Sequence, residues 1–338
     1  MSAPGPRRRR DEAVRVAVVG VGSMGANHAR IYSGLKGVDL VAVVDPDPDR
    51  ARHVAELYGG TPMTSCAGLE GQVDAATVAV PSADHAAVGL DLLARGIDCL
   101  IEKPLATNPG EGQALVEAAA AHDRMLLVGH IERFNPAVDQ LAQILRDGPP
   151  VLAVEARRMS AVSARVTDVD VIADLMIHDL DIVLGLLGTE VVDVAARGAM
   201  VEGGRADDYV TALLTFATGS LASLTASRVT QNQIRALNVT TAERFYTVDY
   251  SAQELCIYRQ GRIGSVDDED PGGDGQYILD VGTERVFVRR TEPLAAELSH
   301  FIDVVHRRCP PKVDGATSLR AVELVDQIRV RVEEPARV

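Results

Sequence analysis

The sequence predicts an α/β protein, in which an N-terminal doubly wound parallel sheet precedes a C-terminal α+β domain with a large open, mostly antiparallel sheet. Apolar strand patterns alternate with helical patterns over residues 13–130, as in a parallel sheet covered by helices on both faces. Strand patterns then follow one another between residues 190 and 290, which favours an antiparallel sheet. The length of 338 residues suits about two domains.

The predicted organisation is a disordered tail at 1–12, a first domain at 13–130 and a second domain at 131–338. Strands of the first domain are short and rich in valine, isoleucine and leucine, so both of their faces are expected to be buried. These strands are Arg15–Val19, Val38–Val44, Ala75–Val80, Cys99–Glu102 and Met125–Val128. The helices between them are Gly25–Leu35, Pro48–Tyr58, His85–Arg95 and Gly110–His122.

The second domain is predicted to combine a strand-rich segment with helices at its two ends. Its predicted helices are Pro136–Arg146, Ile172–Leu187, Leu294–Arg307 and Ser318–Glu333. Its predicted strands are Leu152–Arg158, Val191–Arg197, Tyr209–Phe216, Ser220–Val229, Arg235–Thr241, Phe245–Asp249, Glu254–Tyr258 and Glu284–Val288. The acidic, glycine-rich stretch Asp267–Gly275 is expected to be a surface loop.

The composition excludes several classes of partner. The chain carries 34 Lys and Arg against 48 Asp and Glu, a formal net charge of −14, whereas nucleic acids and anionic membranes bind basic surfaces. Its 4 cysteines are widely spaced, so we expect reduced thiols and no metal site. No apolar segment follows the arginines at positions 7–10, and none approaches the roughly 18 residues of a membrane span. We therefore expect a cytoplasmic protein.

A glycine-rich motif, Gly20-Val-Gly22-Ser23-Met24-Gly25, lies between the first predicted strand and the first predicted helix. This context is typical of a Rossmann dinucleotide site. There Gly20 permits a tight turn, Gly22 lets the backbone approach a pyrophosphate, and Gly25 lets the helix pack closely on the sheet. The helix then presents its first N–H groups to the phosphates, which makes Ser23 and Met24 candidate contacts. The alternative is a purely structural turn.

An acidic residue stands where such a motif requires one. Asp45 ends the second predicted strand, about 20 residues beyond Gly25. Its carboxylate can accept hydrogen bonds from the adenosine ribose and would repel a 2′-phosphate, so NAD is expected in preference to NADP. Arg50 is near enough in the sequence to weaken that preference.

Two further segments carry residue types suited to proton transfer. Lys103, in Glu102-Lys103-Pro104 at a predicted strand end, can stabilise negative charge on a substrate oxygen. Asp174, His178 and Asp181 have helical spacing and are expected on one face of a helix. A histidine with a carboxylate one turn away is suited to act as a general base. The alternatives are an exposed lysine and an ion-paired helix start.

In order along the chain, these residues resemble the motifs of the Gfo/Idh/MocA oxidoreductases, over about residues 14–334. The resemblance implies a nicotinamide-dependent sugar dehydrogenase. In it Lys103 would position the reacting hydroxyl, His178 would remove its proton, and Asp174 would support His178. It also implies that one face of the C-terminal sheet joins subunits into a homodimer or homotetramer. The implied cofactor contacts outside the glycine motif and Asp45 are Pro81, His85, Glu102 and Lys103.

A narrower resemblance is to the UDP-N-acetylglucosamine 3-dehydrogenase subgroup of that family. It rests on residues 128–136, the arginines that follow, and the segment that contains Asp174. It implies oxidation at C3 of a UDP-N-acetylaminosugar, whose diphosphate suits arginine side chains. The implied substrate contacts are Lys103, His130, Arg133, Asn135, Arg158, Arg165, Asp174 and His178. Asp170 and Ala242 stand where the subgroup has glycine, which leaves the sugar open.

Other functions remain open from the sequence. A cyclitol or free-sugar dehydrogenase, or a ketoreductase of a secondary-metabolite pathway, would use the same Lys103, Asp174 and His178. A non-catalytic NAD-binding regulator would be expected to have lost one of these residues. An imine or biliverdin-type reductase would not need Lys103, Asp174 and His178.

Overall fold

The computed structural model describes residues 12–161, 170–200, 208–259, 263–265, 277–279 and 282–333. The predicted tail up to residue 11, the predicted substrate contact Arg165 and the predicted loop Asp267–Gly275 lie outside the described residues. The chain forms two compact units. The first comprises the chain up to Phe134 together with Thr291–Arg329, and the second comprises Asn135–Arg290 and the residues after Arg329.

The first unit is built on a six-stranded parallel sheet, which confirms the predicted doubly wound arrangement. Its strands are β1 (Val14–Val19), β2 (Val38–Val44), β3 (Thr61–Met63), β4 (Ala75–Val78), β5 (Asp98–Glu102) and β6 (Leu126–Gly129). Their spatial order is β3-β2-β1-β4-β5-β6. The order reverses beside β1, so the carboxyl ends of β1 and β4 border the crevice in which such sheets bind ligands.

Both faces of this sheet are buried. Successive side chains of a strand point to opposite faces of the sheet. In β1, Val16 and Val18 accordingly belong to one apolar cluster, and Ala17 and Val19 belong to the other. Helices that follow the strands are α1 (Ser23–Gly34), α2 (Pro48–Tyr58), α3 (His85–Ala94) and α4 (Pro109–Ala121). The sequence did not predict β3, which contains Pro62. Proline is tolerated there because β3 is an edge strand.

The second unit contains an eight-stranded, mostly antiparallel sheet, as predicted. Its strands are β7 (Val151–Met159), β8 (Val191–Ala199), β9 (Tyr209–Phe216), β10 (Leu221–Ser227), β11 (Ile234–Thr241), β12 (Arg244–Asp249), β13 (Glu254–Arg259) and β16 (Gly282–Val286). The order is β16-β13-β12-β11-β7-β10-β9-β8, with β7 and β10 parallel. A separate pair joins β14 (Ile263–Ser265) to β15 (Tyr277–Leu279).

The two faces of the eight-stranded sheet differ in exposure. One face is buried and packs against α5 (Pro136–Arg146) and α6 (Ile177–Leu187). Strand pairing places Leu213, Leu221 and Phe245 on the other face, with β7 and β11 between Leu221 and Phe245. These three side chains are 45%, 43% and 39% exposed. We call this the outer face of the sheet.

The end of the chain returns to the first unit. Helix α7 (Pro293–Val305) contributes Phe301 to the apolar cluster of Val16, and α8 (Gly315–Glu333) contributes Val322 to the cluster of Val19. The sequence-based division at residue 131 groups both helices with the second domain instead. An amphipathic pattern shows that a helix buries one face but does not show which core it joins. Among the described residues, no helix has the length and apolar character needed to span a membrane.

Candidate active site

The glycine loop between β1 and α1 has the shape of a phosphate cradle. Gly20 has φ +82°, and a Cβ there would stand 2.7 Å from backbone atoms of Ala79 and Val80. A Cβ on Gly25 would stand 1.8 Å from the carbonyl oxygen of Gly20, so both positions require glycine. A Cβ on Gly22 would meet nothing within 4 Å. The backbone at Gly22 is therefore open to a ligand.

The amino terminus of α1 follows directly on this loop. Gly22 is the N-cap residue and supplies no side-chain hydrogen bond, and the first turn contains no acidic residue. Ser23 and Met24 are exposed. The first N–H groups of a helix lack intrahelical acceptors and carry partial positive charge. An exposed helix start without a side-chain cap therefore suits an anionic ligand such as a pyrophosphate.

Asp45 ties the end of β2 to the glycine loop. It is 2% exposed. One carboxylate oxygen accepts a hydrogen bond from the N–H of Val21 at 2.9 Å, and the other accepts one from the N–H of Asp47 at 3.0 Å. The guanidinium of Arg50 contacts both oxygens, at 3.2 and 3.3 Å. Arg50 therefore partly neutralises the Asp45 carboxylate.

His85 links two backbone segments near the same edge of the sheet. Its Nδ1 lies 2.7 Å from the carbonyl oxygen of Pro104, and its Nε2 lies 3.1 Å from that of Val80. Burial lowers the pKa of His85, although both carbonyls favour the charged ring. A neutral ring has one N–H to donate, so it serves one of these carbonyls. Pro81, which precedes a short 3₁₀ turn before α3, is exposed.

Glu102 and Lys103 lie where β5 ends, at the carboxyl edge that also carries Gly20 and Asp45. The carboxylate of Glu102 lies 3.0 Å from Nε2 of His28, and its other oxygen accepts a hydrogen bond from the N–H of Lys103 at 3.3 Å. Lys103 is half-buried, whereas Glu102 is 7% exposed. The first unit thus brings the predicted cofactor contacts and Lys103 to one edge of its sheet.

The helix that carries Asp174 and His178 starts with a π-helical turn, Ile172–Met176, and continues as α6. Asp170 accepts a hydrogen bond from the backbone N–H three residues later, at 2.8 Å, and so caps the helix start. Asp174 and His178 are half-buried, whereas Asp181 is 1% exposed. Asp181 therefore lies in the interior, whereas Asp174 and His178 both keep part of their surface accessible. π-Helical turns are frequent at functional sites.

Arg158 forms a buried ion pair with Asp179, the residue after His178. Its Nε and Nη2 each donate to a different carboxylate oxygen at 3.0 Å, and the two side chains are 4% and 2% exposed. The guanidinium carbon lies 5.0 Å from the centre of the Tyr250 ring. Asp179 thus takes two of the five N–H groups of the guanidinium, and the predicted contact of Arg158 with a phosphate stays a prediction.

Asn135 is also committed to contacts within the second unit. Its side chain accepts a hydrogen bond from the N–H of Ala137 at the start of α5 and donates one to the carbonyl oxygen of Tyr250 at 2.9 Å. It is 2% exposed, and its predicted contact with the substrate stays a prediction. His130, after β6, is 1% exposed, and Arg133 is half-buried. Within the described residues, no group of three or more His, Cys, Asp or Glu side chains is arranged to hold a metal ion.

Two family models match the chain. Residues 14–130 match a model described as an oxidoreductase family with an NAD-binding Rossmann fold. Residues 146–245 match a model described as the GFO/IDH/MocA C-terminal domain. Both matches agree with the order of the two sheets along the chain.

Individual relatives are similar over different lengths. UDP-N-acetylglucosamine 3-dehydrogenase from Acidithiobacillus ferrooxidans is 36% identical over 320 residues, which cover 95% of this chain and 97% of that protein. A solved structure with the same enzyme name and species has a TM-score of 0.86 at 34% identity, covering 95% of this chain and 98% of the other. Inositol 2-dehydrogenase from Acidothermus cellulolyticus is 38% identical over 195 residues, 55% of this chain and 57% of that protein.

Proposed function

The chain belongs to the Gfo/Idh/MocA oxidoreductase family, and from that premise we propose that it is a dehydrogenase acting at C3 of a UDP-N-acetylaminosugar. At a coarser level, it is an NAD-binding oxidoreductase of the sugar-dehydrogenase type. The observation that carries the finer proposal is its 36% identity with UDP-N-acetylglucosamine 3-dehydrogenase across 95% of this chain.

The first unit fits NAD at the carboxyl edge of its sheet. The open backbone at Gly22 and the exposed start of α1 would hold the pyrophosphate. Asp45 would accept hydrogen bonds from the adenosine ribose and disfavour the additional phosphate of NADP. When bound, the nicotinamide ring supplies the acceptor for a hydride. The remaining proposed contacts at this edge are Ser23, Met24, Pro81, His85, Glu102 and Lys103.

The proposed reaction assigns proton transfer to His178. Loss of hydride from an alcohol carbon requires that the hydroxyl proton also leave, and an imidazole is suited to accept it near neutral pH. Asp174, one turn away and equally half-buried, would orient the ring and stabilise its charged form. The ammonium of Lys103 would donate to the same substrate oxygen and stabilise its developing negative charge. In the reverse direction, His178 would donate the proton.

A cyclitol dehydrogenase is the second candidate. It is favoured by the 38% identity with inositol 2-dehydrogenase, which extends over 55% of this chain. A cyclitol carries the same secondary hydroxyl, so the proposed roles of Lys103, Asp174 and His178 would not change. The two candidates differ in whether a nucleotide diphosphate contributes to binding.

Measured turnover with a panel of substrates separates these candidates. With NAD, we expect oxidation of UDP-N-acetylglucosamine or its galactose isomer at a higher kcat/KM than N-acetylglucosamine, glucose or myo-inositol, because the nucleotide adds binding energy away from the reacting carbon. The absorbance of reduced cofactor reports the rate, and NMR of the product locates the ketone. UDP should inhibit competitively. Turnover confined to inositols or free sugars would contradict the nucleotide-sugar proposal.

We also propose that the outer face of the eight-stranded sheet joins copies of this chain into a homodimer or homotetramer. Its support is the exposed apolar set Leu213, Leu221 and Phe245, with Phe245 beside Tyr258 at a ring separation of 6.0 Å. Water contact with such a set is unfavourable, and a second identical face would remove it. Sedimentation velocity is expected to give a molecular mass of two or four times the 36.0 kDa of one chain. A single species of one chain's mass would contradict the proposal.

A further inference from the structure

His28 and Glu102 form a buried contact that joins α1 to the end of β5. Nε2 of His28 lies 3.0 Å from Oε1 of Glu102, and their side chains are 0% and 9% exposed. An ionised carboxylate only accepts hydrogen bonds, so the ring proton lies on Nε2 in this contact. Loss of either side chain would leave the other buried with one hydrogen bond fewer.

A glycine on the neighbouring strand makes room for the Glu102 carboxylate. Glu102 and Gly129 are partners in the register of β5 and β6. A Cβ on Gly129 would stand 2.9 Å from Cδ and Oε1 of Glu102 and 3.0 Å from Oε2. Side chains do not pack that closely, so any residue larger than glycine would push the carboxylate away. His28 and the backbone of β6 therefore fix the carboxylate from two sides.

The carboxylate in turn holds the backbone of Lys103. Its Oε2 accepts the hydrogen bond from the Lys103 N–H at 3.3 Å. Displacement of Glu102 would remove this hydrogen bond from Lys103, the residue that we propose donates to the substrate oxygen. Helix α1 begins at the phosphate cradle, so the connection from His28 through Glu102 to Lys103 joins that cradle to the proposed catalytic amine.

We propose that His28 is a positioning residue, which through the Glu102 carboxylate sets the place of Lys103 relative to the glycine loop. The inference rests on the proposed function only for the role of Lys103. A misplacement of about 1 Å at a reacting group lowers turnover roughly a hundredfold, so small displacements matter here.

Chemical labelling of lysine tests this placement without any substrate. The chain contains only Lys36, Lys103 and Lys312, so two lysines serve as internal references. Reductive methylation, followed by peptide mass spectrometry, gives the relative rate at Lys103. We expect His28→Leu and Gly129→Ala each to raise that rate relative to the two references, because each removes a restraint on the Lys103 backbone.

Turnover and matched variants complete the experiment. Both variants are expected to lower kcat about tenfold to a hundredfold. NAD should still bind through the unchanged glycine loop and Asp45, but more weakly, because Glu102 and Lys103 are also proposed contacts of the cofactor. His28→Gln retains an N–H in place of Nε2 and is expected to recover most of the labelling and activity. His53→Leu, which replaces an exposed histidine of the same unit, should have no effect.

An unchanged relative rate at Lys103 in folded His28→Leu and Gly129→Ala chains would overturn the inference. If His28→Leu does not fold, His28→Asn takes its place, because its shorter polar side chain cannot reach the Glu102 carboxylate, and an unchanged rate at Lys103 in that variant overturns the inference. The two proposals can fail separately. If the variants change the labelling rate but the wild-type protein oxidises no sugar, the proposed function is refuted, whereas the positioning of Lys103 by His28 is supported.

Discussion

His178→Ala is expected to lower kcat for the sugar substrate about 10²–10⁴-fold, with the dissociation constant for NAD little changed. The substitution removes the imidazole to which we assign the hydroxyl proton. It leaves the glycine loop and Asp45 untouched, because these belong to the first unit and His178 to the second. Steady-state rates from the absorbance of reduced cofactor give kcat, and calorimetric titration gives the affinity for NAD.

A matched pair of controls distinguishes lost chemistry from lost structure. His53→Ala removes an exposed histidine of α2 and should retain wild-type turnover. Asp174→Asn should reduce turnover less than His178→Ala, because the imidazole remains but loses its supporting charge. Unchanged turnover in His178→Ala, or a loss of NAD binding as large as the loss of turnover, would show that His178 is not the proposed base.

Arg158→Met is expected to lower the free energy of unfolding by about 3–5 kcal/mol, since it leaves the carboxylate of Asp179 buried and unpaired. The pair is 4% and 2% exposed and makes two hydrogen bonds of 3.0 Å, so little water is available to replace the guanidinium. Removal of Arg158 also takes its cationic contact away from the ring of Tyr250. Urea unfolding, followed by circular dichroism, measures the loss.

The double variant Arg158→Met/Asp179→Leu is the informative comparison. Replacing both charges with apolar side chains should recover most of the stability, because no buried charge then remains unpaired. Arg52→Met breaks the exposed pair with Asp49, whose side chains are 58% and 85% exposed, and should cost only a small fraction of the Arg158 effect. Equal losses of unfolding free energy in Arg52→Met and Arg158→Met would show that burial does not determine how much an ion pair contributes to stability.

Patterns within single segments of the sequence predicted the first and last residues of several elements correctly. Helices α2 and α5 begin and end where the sequence places them, at Pro48–Tyr58 and Pro136–Arg146. Each starts with proline after a capping side chain, and Asp47 and Asn135 indeed accept hydrogen bonds from the following N–H groups. The glycine loop is similarly local, because its turn and its helix start are both encoded within Gly20–Gly25.

Contacts between distant residues could not be predicted in the same way. The pairing of Arg158 with Asp179 depends on how β7 meets α6, and nothing in either segment alone indicates it. The contact of His28 with Glu102 likewise joins two elements that are 74 residues apart in the sequence. The helical spacing of Asp174, His178 and Asp181 assumes a regular α-helix. The π turn at Ile172–Met176 changes the hydrogen-bond pattern without altering the apolar periodicity that the sequence displays.

The return of α7 to the first unit has a consequence for synthesis of the protein. Phe301 and Leu298 share an apolar cluster with Val16 and Tyr32, residues that leave the ribosome far earlier. The nucleotide-binding unit therefore emerges first but remains without part of its interior until α7 has been translated. A ribosome that stops after Phe134 releases every strand of the parallel sheet, yet none of the carboxyl-terminal side chains that seal it.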